Sequence, residues 1–122
     1  MEFKKKDAIY LQIADLMCER ILRGTWPENE RIPSVRELAV DMEVNPNTVM
    51  RTYTYLQEHA IIFNKRGIGY FVAADGRQAT RRLLKCNFVR SELPRVFNTL
   101  ELLDLDFDEL YALYREYREA NT

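Results

Sequence analysis

The chain has a single histidine, His59, and only two cysteines, Cys18 and Cys86. Metal centres and Cys/His nucleophiles need such residues in clusters, and His59 stands at the end of a helical pattern with no nucleophile or second ligand near it. Cys18 and Cys86 are far apart, each within a helix-like pattern, so they read as reduced structural thiols rather than as a disulfide or a metal site. There is no glycine-rich phosphate loop and no pair of acids in a pocket-like context, so nothing points to catalysis and no cofactor or metal is expected. No apolar run approaches the ~18 residues needed to cross a bilayer. The stretch Met1-Glu2-Phe3-Lys4-Lys5-Lys6-Asp7 is basic but lacks the apolar region and cleavage site of a secretion signal. The expected address is the cytoplasm, with no membrane partner. An excess of positive charge is missing too: 18 Lys and Arg face 19 Asp and Glu, a net charge of −1 that does not by itself advertise a nucleic-acid partner.

What is present is local. From Val44 to Ala73 the charges are Arg51, Lys65 and Arg66 against Glu58 alone, while Asp104, Asp106, Asp108 and Glu109 crowd the other end of the chain. The positive bias falls on the stretch with the clearest pattern, Val44-Asn45-Pro46-Asn47-Thr48-Val49-Met50-Arg51-Thr52-Tyr53-Thr54-Tyr55-Leu56. Asn45 is a good N-cap and Pro46 suits the first helical position, where no N–H is needed. At 100° per residue Val49, Tyr53 and Leu56 share one side, and Asn47, Thr48, Arg51 and Tyr55 fall opposite. One face can be buried. The other offers amide, hydroxyl, guanidinium and phenol near a helix N-terminus, the chemistry that meets phosphates and base edges in a DNA major groove.

An ordinary amphipathic surface helix would carry the same pattern, so its neighbours matter. Upstream, Arg31-Ile32-Pro33-Ser34-Val35-Arg36-Glu37-Leu38-Ala39 holds a capping box, Ser34 with Glu37, followed by Val35, Leu38, Ala39 and Met42 at helical spacing. Glu43 and Val44 alone separate the two helices, which is room for the tight turn of a helix-turn-helix. An earlier helix is expected from about Ala8 to Arg23, with Ile9, Ile13, Leu16, Met17 and Ile21 on one face and Gly24 ending it. Trp26-Pro27-Glu28-Asn29-Glu30 reads as a turn-rich connection in which Trp26 plugs the core. Downstream, Ile61-Ile62-Phe63-Asn64 and Gly69-Tyr70-Phe71-Val72-Ala73 are short extended runs joined by Lys65-Arg66-Gly67-Ile68, which is a hairpin. Glycine at the tip lets the backbone bend and approach a phosphate, with Lys65 and Arg66 supplying charge.

Three helices and a two-stranded hairpin make a winged helix-turn-helix, and the segment from Ile9 to Val72 resembles the DNA-binding domain of the GntR family of bacterial transcriptional regulators. Ile9-Tyr10-x-Gln12-Ile13 is similar to its opening helix and Ile32-Pro33-Ser34-x-Arg36-Glu37-Leu38-Ala39 to its second. Val44-Asn45-Pro46-Asn47-Thr48-Val49 is similar to its recognition helix and Gly67-x-Gly69-x-Phe71-Val72 to its wing. The resemblance implies that Arg36 meets DNA backbone or a base, Thr48 a phosphate, Asn45 and Asn47 the groove, and the Lys65-Arg66-Gly67 tip the adjacent minor groove. With Ser34, Arg51 and Tyr55 these form the expected DNA-facing set. Arg36, Arg51, Lys65 and Arg66 would supply salt-dependent affinity, and Asn45, Asn47 and Tyr55 base discrimination. Many members carry arginine where Met50 stands, glycine where Ala60 stands and proline where Ala8 stands.

The expected domains are 1–73, the winged helix-turn-helix, and 74–122, a helical arm. The 49 residues after Ala73 are too few for the larger effector domains of most branches, and no small effector is legible in them. Asp75 to Leu103 carries apolar residues at helical spacing with a kink expected at Pro94, and Asp106 with Glu109 caps a last helix lined by Phe107, Leu110, Tyr111, Tyr114 and Tyr117. Two such helices are more apolar than their own packing needs. Phe88, Val96, Phe97, Leu100, Leu103, Leu110, Tyr114 and Tyr117 are therefore the expected dimer contacts. The arm resembles that of the YtrA-type branch, which implies a homodimer on a palindromic double-stranded operator, most often as a repressor and frequently of transporter operons. A winged-helix module for protein or RNA is the alternative; it would need an apolar or acidic exposed face, against which Asn47, Thr48 and Arg51 argue.

Overall fold

A computed structural model describes residues 7–122. The basic stretch Met1 to Lys6 lies outside the described residues. The chain is mainly helical with one small antiparallel hairpin, and it divides into two compact units, the first ending at Leu84 and the second Lys85–Thr122.

In the first unit α1 (Ile9–Leu22) buries Ile13, Ala14, Met17, Cys18 and Ile21, and Gly24 follows its end at φ +80°. Ile9, expected on that buried face, is instead 58% exposed. The second helix, α2 (Val35–Met42), opens with the full capping box: the Glu37 N–H donates to the Ser34 hydroxyl at 3.1 Å, and the Ser34 N–H donates to the Glu37 carboxylate at 3.0 Å. It ends on Glu43 in the left-handed region, φ +55°, which reverses the chain within two residues. Next comes α3 (Pro46–Glu58), capped by Asn45, whose side-chain oxygen accepts the Asn47 N–H at 2.8 Å. The helix packs against both α1 and α2 through Val49, Thr52, Tyr53 and Leu56. Two hydrogen bonds lock this corner: the Thr52 hydroxyl donates to the Tyr10 carbonyl at 2.7 Å, and the Tyr53 hydroxyl to the Pro33 carbonyl at 2.6 Å. Ala60 then closes α3 at φ +60°, a conformation that favours glycine and costs an alanine on the order of 1 kcal/mol.

The hairpin pairs β1 (Ile62–Lys65) with β2 (Gly69–Val72) in the register Ile62 with Val72 and Lys65 with Gly69. Its other edge is not bare. The Asn29 N–H donates to the Val72 carbonyl, Ile32 N–H to Tyr70 carbonyl and Val72 N–H to Glu30 carbonyl, so the connection expected to be a simple turn runs alongside β2 as a partial third strand. Trp26 is half-buried against the core with the Arg20 guanidinium 5.3 Å above its ring.

The next helix, α4 (Gly76–Asn87), begins inside the winged unit, which is why that unit ends at Leu84 and not at the expected boundary near Ala73. Ala79, Thr80 and Leu83 are buried in the same core as α1 and α3. Gly76 is buried there too: a Cβ on it would stand 2.6 Å from Val72 Cγ1. Arg77 fastens the start of α4, its guanidinium donating to the Leu22 carbonyl at 3.1 Å and its N–H to the Glu28 carboxylate at 3.3 Å.

In the second unit, where a kink is expected at Pro94, the helical hydrogen bonding changes just before the proline. A π-helical turn, Phe88–Glu92, widens the backbone, with the Leu93 N–H donating to the Phe88 carbonyl, and α5 (Leu93–Leu102) then starts with proline in its first turn. The wide turn makes room for a ring that cannot donate and would collide with the carbonyl four residues earlier. The last helix, α6 (Phe107–Ala120), begins where Asp106 accepts the Glu109 N–H at 2.9 Å, the aspartate half of the expected capping box. No described side chain of this unit is fully buried. Leu100 and Leu110 are half-covered, while Phe88, Val96, Phe97, Leu103, Tyr114 and Tyr117 are exposed, Leu103 at 70%.

Candidate nucleic-acid interface

With Val49, Thr52, Tyr53 and Leu56 committed to the core, α3 leaves one strip open: Asn47, Met50, Arg51, Thr54 and Glu58 are all exposed. Thr48 and Tyr55, expected opposite the buried side, sit instead on its flank and are half-buried. Tyr55 meets the ring of Tyr10 edge-on at 6.1 Å and that of His59 at 4.8 Å, so its phenol belongs to the α1–α3 seam rather than to the open face. Thr54 stands where Tyr55 was expected. A helical wheel centred on Thr52 as well as on Val49, Tyr53 and Leu56 would have found it, but a threonine gives little signal of burial in sequence.

The polar groups at the head of α3 are partly spoken for. Asn45 spends its side-chain oxygen on the cap and keeps an amide N–H2 to offer. Ser34 likewise accepts from Glu37 and retains its own O–H. That box is electrostatically tight: the Ser34 N–H beside it holds the Glu37 carboxyl below the usual glutamate range. Asn47 has its whole side chain free at the helix N-terminus, where the partial positive charge of the helix favours an anion. Arg36 is exposed on α2, beside an open apolar cleft of about 350 Å³ formed with Ala39, Val40, Val44 and Pro46.

At the wing, the Ile68 N–H donates to the Lys65 carbonyl at 2.9 Å across a turn with Gly67 at φ +80°, which is what the third position of a type II turn demands. Lys65 lies 4.7 Å over the ring of Phe71, itself stacked on Phe63, and Arg66 and Gly67 stand out at the tip. Arg31 adds a cation here that the sequence pattern did not reveal. Its guanidinium covers Gly69 so closely that a Cβ there would come within 2.9 Å of Nε. The Tyr70 hydroxyl reaches the Met50 sulfur at 3.9 Å, tying the wing to α3. Among the described residues no three His, Cys, Asp or Glu side chains gather to hold a metal ion, and no helix is long and apolar enough to cross a membrane.

A helix-turn-helix with an open polar strip and a basic hairpin tip matches, over residues 9–72, the family of bacterial regulatory proteins named for gntR. The chain belongs to the GntR family. Across 98% of its length and 97% of the relative's, it is 32% identical to the HTH-type transcriptional regulator YhcF of Bacillus subtilis. It is also 30% identical to the transcriptional repressor YtrA of the same organism, covering 88% of this chain and 82% of that protein. Among solved structures it is similar to a GntR-family transcriptional regulator from Bacteroides thetaiotaomicron, with a TM-score of 0.81 and 45% identity over 94% of this chain and all of that one. This GntR chain is thus a transcription regulator with a DNA-binding winged helix-turn-helix, and its relatives are regulators rather than enzymes.

Proposed function

We propose that the chain acts in the cytoplasm as a homodimer that reads a palindromic operator in double-stranded DNA and represses transcription. The open strip of α3, with Asn47, Arg51 and Thr54 exposed on a family helix-turn-helix, carries the reading. Asn47 and the Asn45 amide serve base edges; Arg36, Arg51, Lys65 and Arg66 serve phosphates, joined by Arg31 at the wing and by the Thr48 and Ser34 hydroxyls; and the Gly67 tip lies against the backbone. Tyr55 does not discriminate bases here; it supports the seam behind them. The name of YtrA as a repressor supports the sign of regulation.

Dimerisation rests on a second observation. A unit of two helices that buries no side chain fully, yet exposes Phe88, Val96, Phe97, Leu103, Tyr114 and Tyr117, has its apolar surface uncovered in a single chain. A second copy using the same face, with Leu100 and Leu110 at its centre, covers it and pairs two recognition helices for half-sites about 10 base pairs, or a multiple of that, apart.

Fluorescence anisotropy against a pool of palindromic duplexes at two salt concentrations, with sedimentation in parallel, tests both parts. The expected result is selective, salt-weakened binding by a species of twice the chain mass. A monomer that binds as tightly removes the dimer, and absence of duplex binding at low salt removes the DNA reading in favour of a protein- or RNA-binding face.

A further inference from the structure

Tyr10 belongs to the opening-helix motif, yet the DNA-facing set leaves it without a task. It is half-buried on α1 and held from three sides. Its carbonyl accepts the Thr52 hydroxyl, which pins α1 to α3 at this level. The Tyr55 ring meets it edge-on, at an interplanar angle of 81°, and Tyr55 is braced in turn by His59. On the remaining side the Arg51 guanidinium carbon stands 3.9 Å from the Tyr10 ring centroid, in face contact with the ring. Among the described residues no carboxylate pairs with Arg51.

We propose that Tyr10 is a positioning residue for DNA binding, its ring face holding the Arg51 guanidinium in the orientation in which it meets phosphate. This rests on the reading that Arg51 faces DNA. With its carbon 3.9 Å over the ring, the guanidinium has the aromatic face on one side and keeps the N–H donors on its other side for DNA. An unsupported arginine would have to give up its rotamer freedom on binding, whereas one parked on a fixed ring has given up most of it beforehand. The stack also draws Arg51 from the middle of the open strip toward the α1 flank, which directs it at the backbone beside the groove rather than at base edges.

The test is a double-mutant cycle read by anisotropy on a duplex enriched from a randomised pool, across a salt series, with unfolding midpoints measured in parallel. Arg51→Ala is expected to weaken every duplex and to lower the salt slope by about one. Tyr10→Leu is expected to weaken binding about two- to fivefold with the slope retained, Tyr10→Phe to bind like the parent, and Tyr10→Leu to add nothing in the Arg51→Ala background. A Tyr10→Leu loss that persists without Arg51, or a Tyr10→Phe loss of equal size, overturns the proposal while leaving Arg51 on DNA. An Arg51→Ala protein that binds unimpaired overturns the underlying reading and the proposal with it. Should Tyr10→Leu fail to fold, Arg51→Lys keeps the charge and loses the planar stack; the same two- to fivefold loss at unchanged slope is expected from about 0.5–1 kcal/mol of stacking, and full affinity refutes the role of the ring.

Discussion

The hydroxyl of Tyr53 is one atom on which the helix-turn-helix geometry depends, and Tyr53→Phe removes it while keeping the ring. The ring is fully buried and packs edge-on against Tyr70 at 4.8 Å, a contact phenylalanine preserves. What is lost is the 2.6 Å bond to the Pro33 carbonyl, which joins α3 to the residue just before the α2 cap. A buried carbonyl stripped of its donor costs about 1–3 kcal/mol; because Pro33 is only half-buried and water can partly replace the phenol, about 1–2 kcal/mol is expected. For a unit of this size that is a fall of roughly 4–16 °C in melting temperature. Thermal unfolding by circular dichroism, at matched protein concentration because association adds to stability, reads it directly. Burial raises the Tyr53 phenol above its ordinary range, so it stays a donor on both sides of neutrality and the loss is the same at mildly acid and mildly alkaline pH. A loss below about 0.5 kcal/mol would mean that the bond contributes nothing beyond its replacement by water.

Gly76→Ala sets a Cβ 2.6 Å from Val72 Cγ1 and 3.1 Å from the Ile61 carbonyl, both in the core, so denaturant titration is expected to show a loss of about 1–3 kcal/mol, and an unchanged midpoint contradicts the packing. Burial first, and the nearby Asp15 second, push the Cys18 thiol up to about 12, whereas Cys86 is exposed. Alkylation of the native protein at mildly alkaline pH followed by mass spectrometry should therefore find one label, at Cys86, and a second only after unfolding; native labelling of Cys18 at the same rate would sink the burial argument. On DNA, Arg36→Ala is expected to weaken all duplexes alike, and Asn47→Ala to relax the preference between duplexes by on the order of 1–3 kcal/mol per contact; uniform losses from both would refute the division between phosphate and base contacts.

The signals legible in the sequence were those completed within a few residues. The Ser34 and Glu37 capping box, the Asn45 cap with Pro46 behind it, the Asp106 cap and the hairpin around Gly67 each depend on neighbours along the chain, so composition and spacing suffice to specify them. The first two and the hairpin determined a winged helix-turn-helix, and the Asp106 cap began the last helix of the arm. Facing and boundaries were decided by partners distant in sequence. Thr52 is buried because the Tyr10 carbonyl awaits its hydroxyl, and that turns Tyr55 into the seam and Thr54 out to solvent. Asn29 to Ile32 became a strand edge because β2 offered free backbone groups, and the winged unit ran on to Leu84 because Ala79, Thr80 and Leu83 complete its core. Arg51 reads from sequence as an exposed cation, and only the folded arrangement of α1 against α3 puts an aromatic face beneath it. Local caps and turns specify which elements form; which face each element shows is set by burial, a property of the whole core that no short stretch of chain contains.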